Sequence, residues 1–147
     1  MKRSQRLSVV AELAVKATEA ALYKVSQANA AWSQDKQQLA DLNQYKGEYL
    51  VKLREGKQAT VSGQKVMELR LFLAQLDQAI IAQEQQISRS LTHLQQMQQA
   101  WRQVRVKEQA MNSLLVRYQQ EENHQVLRQE QNESDEHNTA QWLRKQK

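Results

Sequence analysis

The chain has 147 residues, of which 40% are apolar and 25% charged, and its formal net charge is +5. It has no cysteine, no proline, three glycines and 5% aromatic residues. Those counts exclude disulfides, thiolate catalysis and Cys-ligated zinc, and they fit long helices around a thin core better than a globule.

About a sixth of the residues are Gln, which with Ala, Leu, Glu, Lys and Arg favours helix. The N-terminus, MKRSQRLSVVAELAVKA, has the outline of a signal peptide. Glu12 and Lys16 interrupt its apolar part, so it reads as the start of an amphipathic helix. No apolar run approaches the roughly 20 residues of a transmembrane helix, and the expectation is a soluble, cytoplasmic protein. The first helix is expected over about 6–54, where Leu7, Val10, Ala14, Ala17, Ala21, Val25, Ala28 and Trp32 follow steps of three and four. Leu39, Leu42, Tyr49 and Leu53 continue the stripe. A turn follows at about 55–63, in EGKQATVSG, where Gly56 and Gly63 offer positive φ and Thr60 or Ser62 a cap. The second helix is expected over about 64–131 on Val66, Leu69, Leu73, Leu76 and Ile80, then Ile87, Leu91, Leu94, Met97, Trp101, Val104, Met111, Leu115 and Tyr118. The polar tail from about 132 to 147 reads as frayed.

Alternating steps of three and four make the seam of a coiled coil. The expected fold is all-α: a single domain of two long helices forming an antiparallel coiled-coil hairpin with a polar C-terminal tail. If the turn centres near residue 59, antiparallel rise matching sets Trp101 opposite Ala17, Met97 opposite Ala21 and Val104 opposite Ala14. Small residues then face large ones, as interdigitation requires.

The sequence offers no catalytic constellation. His93, His124 and His137 are too far apart for a local ligand set, and HExxH, phosphate-loop and nucleophile-elbow motifs are absent. Neighbouring acids such as Glu121 and Glu122 read as solvated charges. The chain is expected to be no enzyme and to need no cofactor or metal. Arg102, Arg105, Lys107 and Arg117 lie along the second helix, but Gln and Glu separate them and no aromatic platform is interleaved, so no nucleic acid is expected. Charges of both signs are interspersed, which marks a solvated face. What remains is a protein that works by surface contact.

Gln38, Leu42, Tyr45 and Tyr49 recur at steps of four, three and four, and Phe72, Leu76 and Ala79 do the same on the second helix. The rise argument sets Gln38 level with Ala79, Leu42 with Leu76 and Tyr45 with Phe72. One aromatic and apolar patch would thus span both helices near the turn, while Leu39, Leu50 and Leu53 serve the core. Spacing alone is compatible with either a core or a surface role for the patch, since Tyr packs its ring while its hydroxyl stays wet.

The arrangement QLADLNQYKGEYLVKL, a loop, FLAQLDQAI and then QAWRQVRVKEQAM resembles the flagellar export protein FliJ over most of the chain. The resemblance implies a coiled-coil stalk within the hexameric flagellar export ATPase, promoting its assembly and activity, and contacts with the transmembrane export gate protein and with export chaperones. It implies a place at the cytoplasmic face of the inner membrane at the flagellar base. Carried over residue by residue, the gate-binding surface falls on Gln38, Leu42, Tyr45, Tyr49, Phe72, Leu76 and Ala79; the next position, a His in the family pattern, is Gln83. The ends opposite the turn, with Lys2, Arg3, Arg6, Arg105, Lys107 and Arg117, would meet the ATPase ring, positive charge attracting acidic pore loops. Other readings of the same shape are an injectisome stalk, a generic coiled-coil tether and a nucleic-acid-binding helical arm.

Overall fold

The computed structural model describes residues 2–56 and 63–145. It is all-α, with α1 spanning Arg3–Gly56 and α2 spanning Gly63–Lys145. The expected caps Thr60 and Ser62 lie outside the described residues. Gly63 opens α2 without a positive φ. The two helices pack antiparallel, within two compact units: a hairpin unit of Ala20–Trp101, and a terminal unit that combines Met1–Glu19 with Arg102–Lys147.

Burial along each helix follows strict heptads. In α1 every seventh residue from Ser4 through Ala11 and Thr18 to Leu53 is withdrawn from solvent, as is every seventh from Leu7 to Tyr49. In α2 the two series run from Leu69 to Tyr118 and from Leu73 to Glu122. A sustained period of 3.5 keeps one stripe of each helix facing its partner. The core is correspondingly thin: Ala11, Ala28, Leu76, Ile80 and Leu94 are its buried apolar residues, and no described side chain is wholly sealed from solvent.

In the hairpin unit the heptads set Leu42 level with Ile80, Lys46 with Leu76, Tyr49 with Leu73 and Asp35 with Ile87. In the terminal unit Thr18 is level with Val104, where its hydroxyl lies 3.5 Å from the Val104 carbonyl. The pairing therefore centres near residue 61 rather than 59, a relative displacement of about one helical turn. Complementary seam side chains set the register, not the midpoint of the connecting segment. Val104 thus meets Thr18 rather than Ala14, and Leu42 meets Ile80 rather than Leu76. Val10, Ala17 and Leu50, expected in the seam, are exposed, and Ala11 and Thr18 take the places next to the first two.

The polar tail is also helical, since α2 runs through to Lys145 rather than ending near 131. With no Gly or Pro after Gly63, nothing stops it. It is held by local bonds: Gln131 donates to Asp135, the Thr139 hydroxyl donates to the Asp135 carbonyl, and Gln141 pairs with His137. Every described residue from Asn123 onward is exposed.

Candidate partner-docking site

Near the turn end of the hairpin unit, α1 and α2 present their aromatic residues to each other. The Tyr49 ring lies 4.7 Å from the Phe72 ring at 51°. Tyr45 approaches the same ring edge-on, at 6.1 Å and 78°. Such geometries suit the ring quadrupoles. Phe72 and Tyr49 are half-buried, whereas Tyr45 is 51% exposed. Beside them Lys46, at a seam position, forms a 2.5 Å ion pair with Asp77. About two turns along, the Gln83 amide donates to the Asp35 carbonyl at 2.8 Å and to the Gln38 side chain at 3.2 Å.

Of the seven residues read from the sequence, Tyr45, Tyr49 and Phe72 form one cluster, whereas Gln38 is bonded to Gln83 apart from it. Leu42 is half-buried and Ala79 exposed. Leu76 is only 7% exposed and serves as core beneath the aromatic surface. Met67 and Leu71, on the outer side of α2, are more exposed than any residue of the seven with a large apolar side chain. Spacing hides them because they lie outside the seam period.

The six basic residues expected to meet a ring all belong to the terminal unit and are exposed. Two are engaged: Arg3 stands 5.7 Å from the Tyr118 ring centroid, and Arg105 reaches Glu108 at 3.5 Å. Arg6, Lys107 and Arg117 make no ion pair among the described residues. At the start of α1, the Ser4 hydroxyl and backbone N–H both donate to the Glu122 carboxylate, at 2.5 and 3.1 Å. Those bonds, led by the hydroxyl and helped by the nearby Lys2 charge, hold the Glu122 carboxyl below the usual carboxylate range. Position suits charge here, since an anion at a helix N-terminus meets free N–H groups and the positive end of the dipole.

No helix among the described residues is long and apolar enough to cross a membrane. The family model for the flagellar FliJ protein matches residues 2–147. The chain belongs to the FliJ family. It is therefore a component connected with flagellar protein export, from a family whose members are structural rather than catalytic, and it associates with parts of the export apparatus. Neither a curated protein nor a solved structure matches it.

Proposed function

We propose that this FliJ-family chain is a two-helix stalk of the export ATPase ring, promoting its assembly and activity and linking it to the export gate and to export chaperones at the cytoplasmic face of the inner membrane. The observation that carries the gate contact is the Tyr45–Phe72–Tyr49 cluster, which combines side chains of both helices and leaves Tyr45 half in water. Amphipathic aromatic groups of this kind anchor protein interfaces. The ring contact is supported by Arg6, Lys107 and Arg117, whose charges are free to meet acidic loops.

A body built of two helices cannot contact six ring subunits equally. It would favour closure of some subunit interfaces around nucleotide over others, and so promote assembly and turnover. The test is ATP hydrolysis by the purified export ATPase with and without this protein, with ring assembly followed in parallel. Stimulation together with hexamer formation is the expected result. No effect at excess protein would refute the stalk role and leave a coiled-coil tether.

A further inference from the structure

A coiled coil with apolar layers tolerates displacement by a whole heptad, because each knob meets an equivalent hole. Most layers of the hairpin unit have that tolerance. Leu42, level with Ile80, would meet Ile87 after a slide in one direction and Leu73 after a slide in the other. The polar residues treat the two directions differently.

Lys46 is paired with Asp77. Seven residues further along α2 stands another acid, Glu84, and seven residues back stands a base, Arg70. Asp35 lies between Ser90, whose hydroxyl donates to its carboxylate, and Gln83, which donates to its carbonyl; Gln86 is alongside at 3.4 Å. A slide of one heptad toward the α2 C-terminus would bring Glu84 to Lys46, and around Asp35 it would put Ser90 in Gln83's place, His93 in Gln86's and Met97 in Ser90's. The reverse slide would put Leu76 in Gln83's place, Ala79 in Gln86's and Gln83 in Ser90's, so Asp35 keeps one polar flank either way, but it would bring Arg70 to Lys46. Like charges brought together at that position repel, where the present pair attracts.

We infer that the hairpin unit has one alternative register, displaced by one heptad toward the α2 C-terminus, and that the charge of Lys46 disfavours the opposite displacement. The slid state gives up the Gln83 and Ser90 bonds to Asp35 and the outermost layer at the turn, and, because both helices run on unbroken, the Thr18–Val104 and Ser4–Glu122 bonds as well, so it is the minor one. A heptad is about 10 Å along the axis. The slide would draw Phe72 away from Tyr45 and Tyr49, dismantling the aromatic cluster. That consequence for partner binding rests on the docking role proposed above; the two-register claim does not.

The chain has no cysteine, so engineered pairs report register directly. Three full-length double variants serve, oxidised under identical conditions with intramolecular products resolved by gel: Leu42→Cys with Ile80→Cys, with Ile87→Cys, and with Leu73→Cys. A disulfide needs Cα atoms within about 7 Å, less than the roughly 10 Å step between registers. The first pair should close rapidly, the second more slowly but to completion, and the third should stay reduced. Glu84→Lys should abolish closure of the second pair and leave the first unchanged. Equal rates for the second and third pairs, or a second pair indifferent to Glu84→Lys, would overturn the inference. Circular dichroism of the reduced variants checks that each folds. Should one fail, Leu39→Cys with Gln83→Cys, Ser90→Cys or Leu76→Cys repeats the comparison one layer away. Gate binding then separates the two readings. For that comparison the cross-links are moved away from the docking surface, Ala28→Cys with Leu94→Cys for the present register and Ala28→Cys with Trp101→Cys for the slid one: loss of binding in the slid cross-link alone ties register to docking, whereas loss of binding in reduced Tyr45→Ala but in neither cross-link would overturn that tie and leave the docking role standing.

Discussion

Leu94 is the sharpest test of where the seam lies. It is 4% exposed and stands level with Ala28, itself 4% exposed. Leu94→Ala removes three carbons from that layer. At about 0.8 kcal/mol per buried carbon group the transfer loss is about 2.4 kcal/mol. A cavity contribution follows only if the layer cannot close, and a two-helix seam closes readily, so the total should stay near the lower end of the 2–5 kcal/mol range for Leu→Ala. Leu71, 61% exposed on the outer side of the same helix, supplies the control, because Leu71→Ala should change stability by less than about 0.5 kcal/mol. Urea unfolding followed by circular dichroism at 222 nm reads both. Equal effects, or a loss under about 1 kcal/mol for Leu94→Ala, would refute the assigned seam.

Four further outcomes are expected. Since the Glu122 carboxyl is held below its ordinary range, its contribution is present above the pKa of an unfolded glutamate and fades as pH falls through the folded value; melting curves from neutral to acid pH should show that loss, and Glu122→Gln should remove it. Tyr45→Ala should weaken gate binding by about tenfold or more while scarcely moving the melting temperature, because half of the ring is already in water; the reverse pattern in a binding titration and a melt would make Tyr45 a core residue. Charge reversal at Lys107 and Arg117 together should lower stimulation of the export ATPase without changing helix content, and unchanged stimulation would place the ring contact elsewhere. Deleting residues 123–147 should lower the total helical signal per molecule in proportion to length and leave the mean per residue nearly unchanged, yet shift unfolding free energy by less than about 0.5 kcal/mol, since every described residue of that segment is exposed.

The two helices, their antiparallel pairing and the aromatic cluster are legible because each leaves an apolar signature at steps of three and four. The seam's polar members are not. Ser4, Thr18, Asp35, Lys46, Gln83, Ser90, Glu108 and Glu122 all occupy heptad positions withdrawn from solvent, and a reading tuned to apolar residues passes over them. These polar residues carry much of the register information, which is why the sequence pairing comes out one turn short: apolar layers are interchangeable, whereas Lys46 with Asp77, or Ser90 with Asp35, is a specific match. The end of α2 escapes for the opposite reason. Its composition is polar enough to suggest a frayed tail, but continuous helix requires only good formers and no breaker. Leu76 shows how one residue can satisfy two descriptions, lying on the spacing of the surface patch while filling the core beneath it.

The distribution of cross-helix bonds also orders events in time. Lys46 and Asp77 are separated by 31 residues and Asp35 and Ser90 by 55, whereas Thr18 and Val104 are separated by 86 and Ser4 and Glu122 by 118. Closing a long loop before short ones costs entropy with no compensating contact, so the chain zips from the turn outward and the Ser4–Glu122 clasp forms last. By the same ordering that clasp is the first to open in the native state. The end that carries the free basic residues is thus the one that fluctuates open most cheaply, and a partner gripping it acts on a fold that has already completed its business at the turn.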